Sequence, residues 1–200
     1  MKTNVLRGWL SIMVMLIFLH AEYGCQKMIL CYKGVRNPSI QTSESVKKFL
    51  LRKGVEDYDG SFILKDSISF MKLVKHITSY PSVSYFTPQG ELIVIRDSGF
   101  CAGVAYNYGI SLKPGSPNRI DSSFMLLDLN PLIQPLSAQK KIEPGDADVI
   151  LVGFWATYLG SVNNNVFGVC DAVRNNSDVK ARIYLINIDF LDSWGQVNLD

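Results

Sequence analysis

The chain has 200 residues, 48% of them apolar, and a formal charge of +2. That is enough apolar material for one sizeable core or two small ones, and a charge so near neutrality leaves no electrostatic footprint for nucleic acid. Its two histidines, His20 and His76, give a His-rich metal site or a Cys/His nucleophile pair few candidates, so neither a metal nor a cofactor is expected.

The N-terminus reads as a secretory leader over residues 1–24. Lys2 and Arg7 precede an uncharged run at 9–19, followed by Ala21, Gly24 and Cys25. Such a run is near the length of a signal-peptide core and well short of the roughly 20 residues that span a bilayer as a helix. Three outcomes stay open: cleavage after Ala21, cleavage before Cys25 with Cys25 as the lipidated first residue of a bacterial lipoprotein, or an uncleaved anchor. Each makes this an exported protein, of the periplasm or the membrane surface. Without Cys25, an odd number of thiols remains, Cys31, Cys101 and Cys170, which permits one disulfide and one free thiol in an oxidising compartment. No two lie close in sequence, and spacing assigns no pair.

Beyond the leader, residues 28–32 are short and apolar enough for a strand. Residues 43–54 predict a helix with Ser43 at the N-cap, Val46, Phe49 and Leu50 on one face and Gly54 as its stop. A short strand is expected at 61–64 and a second helix at 67–79, where Ile68, Met71, Val74 and Ile77 recur at three-residue spacing and Lys72 and Lys75 face outward. His76 is read there as an ordinary surface or core histidine. Residues 80–96 form a β-hairpin by their own chemistry, two β-branched and aromatic runs around Thr87-Pro-Gln-Gly90. The stretch 99–143 is rich in Gly, Pro, Ser and Asn and reads as a join, with 100–121 a linker loop and a short strand near 124–130. Within it Cys101, between glycines, is the candidate free thiol. Residues 149–155 are continuously apolar, as for a strand buried on both faces, and a helix with an apolar stripe through Val162, Val166, Val169, Cys170 and Val173 is expected over 162–175. Asn163, Asn164 and Asn165 at its start offer amides to free backbone donors. A last buried strand at 182–190 closes a right-handed β-α-β unit.

The segment Ile150-Leu-Val-Gly-Phe-Trp-Ala-Thr-Tyr-Leu-Gly-Ser-Val162 resembles the active-site segment of thioredoxin-like proteins, and Phe124-Met-Leu-Leu-Asp-Leu-Asn130 with Pro135-Leu-Ser resembles the short strand and turn that precede the central strand in those of the TlpA/ResA type. In that family the strand runs into Trp-Cys-x-x-Cys; here Tyr158 falls on the tryptophan, and Leu159 and Val162 fall on the two cysteines. Asn187-Ile-Asp189 is similar to the Asn-x-Asp at the family's next strand end. Upstream, Pro81, the strand 83–86 and Gly90 resemble the family's cis-proline and following hairpin, with Ser82 and Thr87 in place of its Thr and Asp.

The order of these pieces is reversed. Residues 122–200 resemble the first half of a thioredoxin-like domain and 25–99 the second. The resemblance therefore implies an α/β fold, a thioredoxin-like mixed sheet flanked by helices. Its halves are either circularly permuted within one chain, exchanged between chains in a swapped homodimer, or two separate half-domains. Thiol-disulfide exchange needs a low-pKa thiolate and a resolving thiol, and Leu159 and Val162 supply neither. The function this implies is a redox-inactive binding or assembly component of the bacterial envelope with a peptide or protein partner, held in a groove of Tyr158, Leu159, Val162, Pro81 and Ser82. Two other classes stay open: an enzyme working through Cys101, and a structural surface lipoprotein with no groove function.

Overall fold

A computed structural model describes residues 31–55, 58–77, 79–95, 102–115, 119–136, 138 and 141–195. The elements are α1 (Ser43–Arg52), β1 (Gly60–Leu64), α2 (Ser67–Leu73), β2 (Ser82–Phe86), β3 (Glu91–Val94), α3 (Ala102–Ser111), β4 (Arg119–Met125), β5 (Ile133–Pro135), β6 (Val149–Trp155), α4 (Asn164–Arg174) and β7 (Ala181–Asn187). Cys25 and Cys101 lie outside the described residues.

Seven strands form one mixed sheet in the order β4-β3-β2-β6-β7-β1-β5. Strand β6 is buried at every position, which its unbroken apolar run requires, since a central parallel strand must satisfy two apolar faces at once. It pairs parallel with β7, Val149 opposite Ala181 through Trp155 opposite Asn187. On its other side it pairs antiparallel with β2, Ser82 opposite Phe154 through Phe86 opposite Ile150. Strands from 25–99 and from 122–200 thus alternate within one sheet of one chain.

The core divides across this sheet. Leu151, Trp155, Val83, Tyr85 and Ile183 pack on one face with α1, α3 and α4, through Val46, Ala105, Val166, Cys170 and Val173. Phe62, Phe86, Ile150, Phe154 and Ile186 pack on the other with α2 and the 126–132 segment, through Leu73, Leu126, Leu129 and Leu132.

Several expectations need correction. Helix α1 is capped by Thr42 rather than Ser43; Thr42 Oγ1 accepts the Ser45 N–H at 3.0 Å, and Ser45 Oγ accepts the Thr42 N–H at 3.1 Å. Helix α2 stops at Leu73 and buries a different face. Ser69, Leu73 and Ile77 point inward at four-residue spacing, while Ile68 and Met71 are exposed. The 100–121 stretch carries α3 and the start of β4. Its low-contrast sequence, Ala102-Gly-Val-Ala-Tyr-Asn-Tyr-Gly-Ile-Ser111, gives little periodic signal; Tyr85 Oη donates to the Ala105 carbonyl at 2.8 Å beneath the helix. The strand expected at 124–130 ends at Met125 and passes into a 3-10 helix, Leu126–Leu132, whose Leu126, Leu129 and Leu132 share a face because that helix has three residues per turn. Of the strand expected at 28–32, Cys31 and Tyr32 are helical and the rest lies outside the described residues.

Candidate functional site

Strand β6 ends in buried Trp155, and after the buried Ala156 the chain makes a 3-10 turn, Thr157–Asn163, broken at Gly160 (φ 55°, ψ −128°), before entering α4. Two buried polar side chains fix this turn. Asp189, just beyond β7 and 1% exposed, accepts from the Thr157 N–H at 2.8 Å, the Thr157 hydroxyl at 2.9 Å and Asn187 Nδ2 at 2.7 Å. Burial pushes its carboxyl above the ordinary carboxylate range, against the pull of those donors. Asn163 reaches back: its Nδ2 donates to the Ala156 carbonyl at 2.7 Å and to the Gly160 carbonyl at 3.1 Å, and its Oδ1 accepts the Ala156 N–H at 3.3 Å. The asparagine read as serving helix donors closes the turn before the helix instead. Buried polar groups persist only when bonded in this way, so both residues specify the turn's shape.

Tyr158, Leu159 and Val162 are half-buried on this turn, while Pro81 and Ser82 are buried at the start of β2. The Tyr80–Pro81 peptide is cis. Because Ser82 sits opposite Phe154, the proline end of β2 and the turn after β6 lie at one end of adjacent strands. Tyr80, Tyr158 and Leu159 pack against the same core cluster. Burial, with Tyr158 adding a smaller repulsion, pushes the Tyr80 phenol up to about 12; the Tyr158 phenol is raised by burial and by Asp189. Tyr80 Oη, Ser82 Oγ and Trp155 Nε1 are buried with no hydrogen-bond partner among the described residues.

The chain's own N-terminal segment lies against this turn, an arrangement the sequence did not announce. The Arg36 N–H donates to the Tyr158 carbonyl at 2.8 Å, and the Ser161 N–H and hydroxyl both donate to the Lys33 carbonyl at 2.8 Å. Farther along, the Gln41 N–H donates to the Phe190 carbonyl at 2.7 Å and the Asp192 N–H to the Gln41 carbonyl at 2.9 Å. Between segment, turn and the end of α1 opens a cleft of about 580 Å³, with Phe49 and Tyr158 among its lining residues. Phe49 stacks on Trp155 with ring centroids 5.3 Å apart.

Thiol and metal chemistry find little in these residues. Cys170 is buried in α4, and burial pushes its thiol well above the ordinary range, the opposite of what a nucleophile needs. Cys31 is exposed. His76 is exposed and stacks on Phe124 at 4.3 Å. Among the described residues no group of three His, Cys, Asp or Glu side chains could hold a metal ion, and no helix is long and apolar enough to cross a membrane. No protein-family model, curated protein or solved structure matches the chain.

Proposed function

We propose that this chain is a redox-inactive, thioredoxin-like protein of the bacterial cell envelope, with its halves exchanged in sequence, that binds a peptide or protein partner. The observation that carries the reading is the β2–β6 register. With Ser82 opposite Phe154, Pro81 and the Leu159/Val162 turn come to one end of neighbouring strands, as two halves of one thioredoxin-like domain would require. Strand β7 lies parallel on the far side of β6, and β3 antiparallel beyond β2, consistent with a β-α-β first half and a hairpin second half. The envelope assignment rests on the leader reading of residues 1–24.

At the cysteine positions Leu159 and Val162 offer apolar surface, and Tyr158 beside them offers a ring with a hydroxyl. This is chemistry for holding a partner rather than exchanging disulfides; an extended peptide could be taken by strand addition, with side-chain pockets giving selectivity. The experiment is capture of peptides from an immobilised array of extended, unstructured sequences by wild type and Tyr158→Ala. Capture should weaken by about tenfold, while stability changes by no more than about 1 kcal/mol because the ring is only half-buried. A large stability loss with unchanged capture refutes the groove.

A further inference from the structure

The two edges of the sheet are finished differently. Strand β5 has three residues and ends in Pro135, and a short edge with a proline resists pairing by another strand. Strand β4, at the other edge, has seven residues, with no proline and no lysine. Among the described residues its one strand partner is β3. The register between them breaks: Leu92 lies opposite Asp121 but Glu91 opposite Met125, so Ser122, Ser123 and Phe124 have no residue opposite them in β3. Only Arg119, Ile120 and Asp121 run straight alongside it, opposite Val94, Ile93 and Leu92, and a further strand would add along these three.

Their side chains form a pattern that fits itself. Successive strand residues alternate between faces, so Arg119 and Asp121 share one face and Ile120 takes the other. Ile120 lies opposite Ile93, which packs in the core with α3 and α4, and it stays 38% exposed. The Asp121 carboxyl is held below its ordinary range, first by hydrogen bonds from Ser123 and further by Arg119 and His76, so it carries its charge at neutral pH. In an antiparallel pair of copies about a two-fold axis at Ile120, the two isoleucines meet, and Arg119 of each copy lies opposite Asp121 of the other. Moving the axis one residue either way sets Arg119 opposite Arg119 or Asp121 opposite Asp121, and a parallel copy in the same register sets like charges side by side. Like charges directly opposite are destabilising. One register therefore satisfies the charges, and the second copy supplies their complement by symmetry.

We propose that two copies of the chain associate edge to edge through β4, with Arg119 of each opposite Asp121 of the other about a two-fold axis at Ile120, so that their sheets run on into one. The break in register confines the contact to a few residues, and exposed charge pairs contribute little each, so the dimer is weak and reversible. The surface is made by residues 119–121, and the inference depends neither on the thioredoxin-like reading nor on the fate of the leader.

The test is analytical ultracentrifugation of the full chain, as wild type and as two charge variants, alone and mixed. In Arg119→Asp both cross-strand pairs become acid against acid, and in Asp121→Arg base against base. Each variant alone should dimerise about twentyfold more weakly than wild type, and an equimolar mixture of the two should recover wild-type affinity, because every pair is again opposite in sign. The leader is common to all samples, so recovery on mixing isolates the edge. Unchanged melting curves verify the folds, and Arg119→Asp leaves the Ser123 N–H bond to Asp121 in place. Wild type that stays monomeric up to about 0.5 mM overturns the proposal and leaves the edge to an extended segment of another protein. Equal association of wild type and both variants overturns it by assigning the dimer to another surface, and so does a mixture that associates no better than its parts.

Discussion

The turn at Thr157–Asn163 and the segment 33–41 against it are held by opposite means. The turn is fixed from inside, by a buried carboxylate and a buried amide that between them bond Ala156, Thr157, Gly160 and Asn187. The segment is held by backbone bonds at Lys33, Arg36 and Gln41, with nearly all its side chains in solvent. The difference bears on what each can change. A turn whose shape comes from Asp189 and Asn163 can vary at Leu159 and Val162 and keep its form. A segment anchored by its backbone can place Lys33 and Arg36 in a cleft without disturbing its own support.

Breaking the internal clamp should have the largest effect. Asp189→Ala leaves the Thr157 N–H and the Asn187 amide without their acceptor in a buried site, and about 3 kcal/mol of stability should be lost in urea unfolding; a loss near zero would mean that the turn is held elsewhere. The same residue predicts a pH dependence. Its native carboxyl titrates above its ordinary value of 3.8, so the folded state binds the proton more tightly than the unfolded chain. Stability relative to Asp189→Asn should therefore decline as pH rises from the ordinary aspartate range through the native value, then level off. Melts of the two proteins across that window check the sign.

Gly160 is where turn and segment meet. A Cβ there would overlap the Gly34 carbonyl, and the backbone lies at positive φ, where side chains are strained. Gly160→Ala should cost roughly 2 kcal/mol and lift the segment, so that limited proteolysis within 33–41 accelerates; an unchanged cleavage rate would separate the two regions. The smallest effect belongs to the exposed side of the comparison. Thr42→Ala removes half of a solvent-exposed capping box and should lower stability by about 1 kcal/mol, measured by the same melts, without altering proteolysis of the turn.

The parts of this fold that could be read in advance are those whose local chemistry decides their conformation. The apolar run of β6 has one home in a sheet, and Thr87-Pro-Gln-Gly90 closes a hairpin whose Gly90 N–H donates to the Thr87 carbonyl at 2.8 Å with φ 85°. Two spacings compete in and just after helix α2, Ile68 and Met71 at three and the buried Ser69, Leu73 and Ile77 at four. The sheet resolves the choice by supplying a core for Leu73 and Ile77. Helix α3 has little periodic signal because its packing is tertiary: a Cβ on Gly109 would sit 2.7 Å from Val173 Cγ2 of α4, and Tyr108 packs edge-on against Tyr85 of β2.

At the site, Asn187-Ile-Asp189 stands out in the sequence only by its likeness to a strand-end motif, and the reach of Asn163 back to Ala156 has no signal in its neighbours. The cleft beside the turn has none either. Of its lining residues, Lys33 and Arg36 are separated along the chain from Arg52 and Lys53, and tertiary bonds such as Gln41 to Phe190 place the segment that carries the first pair.

The proposed function places Leu159 and Val162 where a thioredoxin-like domain carries its dithiol. The most direct measurement is a redox titration of the Leu159→Cys/Val162→Cys protein with Cys25, Cys31 and Cys101 replaced by serine. Mild oxidation should remove the two introduced thiols within a monomer, and dithiothreitol should restore them. Persistence of both introduced thiols beside Cys170, or cross-linked dimers alone, would contradict the placement of the motif.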